Sequence, residues 1–335
     1  MARFLKTSFL VFYALLAFYL AGPHPIPPAL DTELPQVKKS PLAWEQYLQN
    51  RERHIATLRP DNEARIVWAD STQKQISEYS LVYLHGFSAS QGEGFPLHRQ
   101  TAQRFGCNLV LARLDQHGRD DPDAFAQISP ASLLASAKEA LHIGRQVGRK
   151  VILMCTSTGA TLGLYLASGK HPEIAALILY APLVDFYSPA LILLDKPWGL
   201  QIAQMVAGSA YFIRENAPPK IRQYWNTQYR LEAAVALKSL VAATMHRRTF
   251  AKVKVPVFMG YYYRNEEFQD KTVSVAAARR MFAQLGTAPK QKQEVAFPEA
   301  GHHVICSEYT SRDLPGVRQA TFHFLEKIAG LVPVF

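Results

Sequence analysis

The chain has 335 residues, of which 48% are hydrophobic, enough for one large core with an insertion or two modest domains, and one domain with an insertion is the preferred reading. Lys and Arg exceed Asp and Glu by ten, yet the basic residues are spread along the chain and not gathered with aromatics into a stripe that follows phosphates, which argues against nucleic-acid binding. Three cysteines, Cys107, Cys155 and Cys306, are too few and too dispersed for a disulfide framework or a four-ligand zinc site, although a single bridge stays open.

The N-terminus reads as an address. Arg3 and Lys6 precede the charge-free apolar run Ser8 to Ala21, and Gly22-Pro23-His24-Pro25 then stops any helix. Counted from Phe4, the stretch approaches the about 20 residues that span a bilayer. Residues 1–22 are therefore expected to be a membrane anchor or a signal peptide, with the anchor preferred because no A-x-A site precedes the prolines. The basic flank then puts the catalytic body outside the cytoplasm, periplasmic or extracellular. A cleaved signal peptide leads to a secreted protein instead.

Residues 23–60 read as a proline-rich linker and a short exposed helix, Leu42 to Leu58, with Trp44, Tyr47 and Leu48 on one side that can pack on the main domain. Asn62 to Trp68 and Tyr79 to Leu84 read as strands. A glycine-rich turn, a helix from Pro96 to Phe105 and a strand from Asn108 to Ala112 follow. Helix Pro130 to Val147, strand Lys150 to Met154, a helix to Ala167 and strand Ala175 to Tyr180 continue an alternation that indicates an α/β fold around a mostly parallel sheet buried on both faces. Val255 to Tyr261 and Lys292 to Phe297 supply two more strands. Between them, about 186–250 is rich in helix formers and aromatics with no clear strand, as expected of a helical cap inserted into a domain spanning 61–335.

The segment Val151 to Thr161 carries the chemistry. An apolar run breaks at Ser157 and restarts as a small-residue helix, the pattern of a strained strand-to-helix turn that lifts a nucleophilic hydroxyl above a sheet. Gly159 satisfies the need for a small residue after the serine, and Cys155 stands where the G-x-S-x-G pattern has its first glycine. A serine hydroxyl needs a base, and the base an acid that fixes its tautomer. His302 and His303 both follow the late strand. His303 is preferred because Val304-Ile305 would seat its loop on the core.

Strand Val255 to Gly260 should deliver the acid, but the residue at the usual distance is Asn265, which holds no charge. Asp270 is preferred because a turn and an amphipathic helix follow it, as though a short insertion preceded it; Glu266 and Glu267 are the alternatives. Backbone amides of Thr158 and of Phe87, after the turn residue Gly86, are the candidate oxyanion donors. His85 and His117 read as structural.

Strand, His85-Gly86-Phe87, serine elbow, late acid and terminal histidine occur in an order that resembles the α/β-hydrolase superfamily from about Asn62 to the end of the chain. The His85-Gly86-Phe87-Ser-Ala-Ser segment and the cap are similar to monoacylglycerol-lipase and small carboxylesterase-like members. That resemblance implies an α/β-hydrolase fold with an inserted helical cap. It also implies a serine hydrolase acting on small-molecule, lipid-like esters through an acyl-enzyme, with Ser157 as nucleophile, His303 as base, Asp270 as acid, and Phe87 and Thr158 as oxyanion donors. No metal or organic cofactor is required. Serine at the elbow argues against epoxide or haloalkane hydrolysis, which needs aspartate there. A non-catalytic binding protein of the same fold and a peptidase or amidase are the alternatives. Cap aromatics, among them Phe186, Tyr187, Trp198, Tyr211, Phe212, Tyr224 and Trp225, either line an acyl pocket or pack the cap.

Overall fold

The computed structural model describes residues 2–334, with side chains from Ser8 onward. Helix α1 (Ala2–Leu20) leads into an extended proline-rich segment and helix α2 (Pro41–Arg53). The side chains of Arg3 and Lys6, on which the expected orientation of the anchor rests, lie outside the described residues. Strand β1 (Arg65–Val67) is followed by β2 (Ser77–Leu84), helix α3 (Leu97–Arg104) and β3 (Asn108–Leu111). Helix α4 (Pro130–Val147), β4 (Gly148–Thr156), α5 (Thr158–Ala167) and β5 (Ile174–Tyr180) come next.

The inserted region then contains α6 (Gly199–Ala207), β6 (Tyr211–Ile213), α7 (Pro219–Tyr224), β7 (Gln228–Arg230), α8 (Glu232–Thr244) and α9 (Arg247–Lys252). Strand β8 (Val257–Tyr261), helix α10 (Val275–Ala283), β9 (Lys292–Ala296) and α11 (Leu314–Lys327) close the chain.

Among the described residues seven strands form one sheet in the order β1-β3-β2-β4-β5-β8-β9. Only the β1–β3 pairing is antiparallel; the other pairings are parallel. The alternation of side chains along a strand sorts the core into two layers. Val82, Leu84, Val151, Leu153 and Leu179 pack with Leu133 and Leu141 of α4 and Leu162 of α5. Leu81, Tyr83, Ile152, Met154 and Ile178 face the other way, onto Leu97 of α3 and Phe324 and Leu325 of α11. Because β3 lies on one side of β2 and β4 on the other, the chain reverses its winding direction there. In open parallel sheets that switch point, at the carboxyl ends of the strands, is where ligands bind.

Two expectations are corrected. The helix expected from Leu42 to Leu58 ends at Arg53 and is not an exposed element: Trp44, Leu48 and Glu52 are buried. Trp44 meets the His142 ring of α4, Tyr47 donates to Glu139, and the Glu52 carboxylate accepts from Arg113 Nε at 2.6 Å. The inserted region is not purely helical, since β6 and β7 form a small antiparallel sheet with Phe212 opposite Tyr229. Three-residue strands more than a dozen residues apart carry no periodicity that a sequence window can detect. Phe212 stacks on Tyr229 with ring centroids 4.9 Å apart, and that pairing marks the register.

Candidate active site

Ser157 sits where β4 hands over to α5, at φ 53° and ψ −114°, a conformation that costs a non-glycine residue energy. The surroundings hold it there. Ser157 N–H donates to Tyr180 O at 2.9 Å, and its carbonyl accepts from the amides of Ala160 and Leu183. Strand and helix pass so closely that a Cβ on Gly159 would lie 2.1 Å from Leu84 O, so only glycine fits. Cys155, in place of the usual glycine, is buried, and its Sγ fills the space left by Gly163 on α5, where a Cβ would come within 2.6 Å of it. Burial pushes the Cys155 thiol far up, which keeps it a neutral packing group.

Asp270 and His303 are brought together: His303 Nδ1 lies 2.5 Å from Asp270 Oδ2. The other carboxylate oxygen accepts from the amides of Thr272 at 2.8 Å and Val273 at 3.2 Å, so the acid is aimed from both ends. The apparent insertion before the acid is a small hairpin. Tyr263 pairs with Gln269, Arg264 N–H donates to Phe268 O, and Asp270 N–H returns to Tyr262 O at 3.1 Å. Asn265, at the position where the acid was first sought, forms the tip of that hairpin by accepting the amides of Glu267 and Phe268. Glu266 accepts from Tyr263 Oη and Gln269 at the exposed end, and Glu267 is exposed beside it, so neither approaches the imidazole in the way Asp270 does.

Burial opposes a charge on His303, but the adjacent Asp270 carboxylate, with a further contribution from Glu93, outweighs it and raises the imidazole above its ordinary value. His302 behaves oppositely. Its Nδ1 accepts from the Val304 amide at 3.0 Å, and burial together with the neighbouring His303 pushes it down to about 4. Val304 and Ile305 are buried and seat the loop on the sheet.

Gly86 follows β2, Ser157 follows β4, Asp270 follows β8 and His303 follows β9, so all four lie at the carboxyl edge of the parallel sheet. A Cβ built on Gly86 would lie 3.1 Å from Ser157 Cβ, which places the turn bearing the Phe87 amide directly against the serine. Thr156, adjoining Ser157, lies with its Oγ1 3.3 Å from Cys306 Sγ, joining the serine turn to the His303 loop. His85 donates from Nδ1 to Gly86 O and accepts the Leu114 amide at Nε2, while the His117 Nδ1 binds Asp115 O. Burial lowers the His85 imidazole to about 4, as expected of a neutral backbone anchor.

The cap aromatics divide by role. Tyr224 donates to Asp61 and stacks on Tyr309, Tyr211 donates to Asp123, and Trp198 stacks on Phe18 of α1, so these rings pack the cap. The rings beside the Phe87 turn are Phe125, at 4.9 Å between centroids, and Tyr229, at 5.1 Å. Neither carries a sequence signal, because each reaches Phe87 from a distant loop or strand. Glu93 was missed in the same way. It lies in Gln91-Gly92-Glu93-Gly94, and only an acid flanked by two glycines just after the oxyanion turn marks it in the sequence. Among the described residues no cluster of His, Cys, Asp and Glu is arranged to hold a metal, and the three cysteines are free and buried.

The sequence profile of the alpha/beta hydrolase family matches residues 81–309, most of the chain and all of these site residues, and the protein belongs to that family. No curated protein matches it in sequence. Among solved structures it is similar to one of the metagenome-derived lipolytic enzymes LipS and LipT, at 17% identity and TM-score 0.63, over 81% of this chain and 99% of that one. It is also similar to the monoacylglycerol lipase of Paleococcus ferrophilus, at 14% identity and TM-score 0.56, over 78% and 98% of the two chains. A third is Est1E of Butyrivibrio proteoclasticus with bound ferulic acid, at 16% identity and TM-score 0.54, over 79% and 94%. At these identities the likeness is one of fold.

Proposed function

We propose that the protein is a serine hydrolase that cleaves carboxylic esters through an acyl-enzyme on Ser157. The observation that carries this reading is the His303–Asp270 hydrogen bond, formed at the sheet edge that also bears the strained Ser157 turn. His303 accepts the Ser157 proton as the hydroxyl attacks the ester carbonyl. The C–O bond to the alcohol breaks, and His303 returns the proton to the departing alkoxide. Water, deprotonated by the same imidazole, then attacks the acyl-enzyme and releases the acid. The amides of Phe87 and Thr158 take the negative charge on the carbonyl oxygen in both steps. The Phe87, Phe125 and Tyr229 rings suit an apolar acyl group and support a lipid-like ester.

The same reading places the protein at a membrane surface outside the cytoplasm, held by residues 1–22. Among the described residues no helix is long and apolar enough to cross a membrane. Support comes from the exposed apolar side chains of α1, including Phe9, Leu10, Phe12 and Phe18, and from exposed Met205 and Val206 on the cap. The two surfaces are joined where Trp198 stacks on Phe18 and donates from Nε1 to its carbonyl at 3.2 Å.

The test is fluorophosphonate labelling of the full chain in detergent, with the adduct located by mass spectrometry, followed by a panel of esters of graded acyl length. An adduct on Ser157 that disappears in Ser157→Ala is the expected result. Folded protein that takes no label would overturn the reading.

A further inference from the structure

Glu93 is 1% exposed, yet it is a carboxyl group with no cation paired to it. One oxygen, Oε2, accepts from the Gly86 amide at 2.6 Å and from Tyr83 Oη at 3.1 Å. The other, Oε1, lies 2.8 Å from where a Cβ on Gly86 would stand, and Ser157 Cβ lies 3.1 Å from that same point. The carboxyl group therefore looks onto the space between the oxyanion turn and the nucleophile. Tyr83 Oη continues the network to Thr156 Oγ1 at 3.0 Å, and Thr156 continues it to Cys306 Sγ at 3.3 Å. Cys306 Sγ in turn reaches Glu93 O at 3.8 Å.

That closed ring of contacts touches each loop the reaction needs. Gly86 belongs to the oxyanion turn, Thr156 precedes Ser157, and Cys306 ends the His303 loop. Glycines on both sides of Glu93 let the segment thread past large rings: a Cβ on Gly92 would strike Tyr224 at 2.2 Å, and one on Gly94 would strike Tyr83 at 2.5 Å. A buried carboxyl is costly to keep unless it is fully used.

We infer that Glu93 is a positioning residue of this site: it holds the oxyanion turn through the Gly86 amide and, by its charge, favours the protonated form of His303. The inference rests on the hydrolase reading above. Burial, against the pull of the Gly86 amide and His303, raises the Glu93 carboxyl to about 7, so its charge changes in the working range. The titratable groups around it are Tyr83 on β2, Cys306 and His303 on the last loop, and beyond His303 the residues Asp270 and His302; His98 on α3 packs against the Tyr83 ring. Tyr83 is held neutral by burial, and burial lowers the His98 imidazole to about 3. This leaves Asp270 and Glu93 as the two carboxyls acting on His303.

The experiment compares wild type, Glu93→Gln and Glu93→Ala by two readouts. The first is the His303 titration followed by NMR of its hydrogen-bonded ring proton, which needs no turnover. The Gln side chain keeps an acceptor for Gly86 but carries no charge, so the titration should move about one unit towards lower pH. The second is the rate of fluorophosphonate labelling, with kcat and KM on an ester. Glu93→Ala should lose about 10–100-fold in labelling rate and kcat with little change in KM, as expected when reacting groups are misplaced by a fraction of an ångström. Glu93→Gln should recover part of that loss. An unmoved His303 titration in Glu93→Gln, with labelling rates of both variants within twofold of wild type, overturns the inference. Wild type that takes no label overturns the hydrolase reading instead, and the titration still decides whether Glu93 acts on His303.

Discussion

Asp270 presents one carboxylate oxygen to His303 Nδ1 at 2.5 Å and the other to the Thr272 and Val273 amides at 2.8 and 3.2 Å. Both ends of the acid are therefore committed. In Asp270→Asn the amide oxygen should keep the two backbone donors, turning the NH2 group towards His303 and forcing the proton onto the nitrogen that must accept it from Ser157. A loss of about 10⁴-fold in kcat near neutral pH is expected, by analogy with the same change in a serine protease. Glu266→Gln and Glu267→Gln, on the exposed hairpin, should stay within about twofold. Steady-state kinetics on one ester with all three variants check this, and a large loss in Glu267→Gln with little in Asp270→Asn would reassign the acid.

Ser157→Ala should remove labelling and lower kcat by about 10⁶-fold, leaving the residual rate that oxyanion donors supply without a nucleophile. Unfolding by denaturant should show a change of no more than about 0.5 kcal/mol, since both residues pay for the same positive φ.

The acid limb of kcat/KM follows from His303. The imidazole must be neutral to accept the serine proton, and Asp270 and Glu93 raise it above its ordinary value of 6.5 against the effect of burial. Activity should therefore rise with pH through a midpoint above 6.5 in wild type. A midpoint below that value would show that the Asp270 contact is not made in solution.

Stability should fall in acid for a separate reason. His85 and His98 are buried and neutral, with burial lowering them to about 4 and about 3. Their unfolded forms take up protons from about pH 6.5 downward, while the folded forms wait until the lowered values are reached. The melting temperature should drop as pH falls from about 6.5 to 4, and His98→Asn should flatten that dependence. A melting temperature independent of pH over this interval would be inconsistent with both histidines staying neutral.

Cys155 and Gly163 should be energetically coupled. Gly163→Ala places a methyl 2.6 Å from Cys155 Sγ and should cost about 1–3 kcal/mol by overpacking. Adding Cys155→Gly removes that sulfur and should restore part of the loss, read as a coupling energy in a double-mutant cycle. Gly159→Ala meets backbone at Leu84 O and has no such remedy. Additive Cys155 and Gly163 effects would show that the two do not share the space.

The sequence by itself determined what depends on local order. The apolar runs of β4 and β5, the capped helix α4 and the small residues after Ser157 set the alternation of strand and helix, because burial on both faces of a parallel strand leaves a continuous apolar signature. Ser157, His303 and Asp270 were legible for the same reason, each standing at the end of a recognisable strand. Tertiary structure decided what depends on distant segments meeting. Only the Tyr263–Gln269 pairing shows that the residues before Asp270 fold out and return the acid to its strand end. Only the packing of Trp44 against α4 shows that α2 is part of the core. Tyr229 reaches Phe87 from the cap, and Glu93 reaches the Gly86 amide from a turn with no motif of its own. Periodicity reports which face of an element is apolar, but not which of several distant faces or polar groups it will meet, and at this sheet edge those meetings are what make the site.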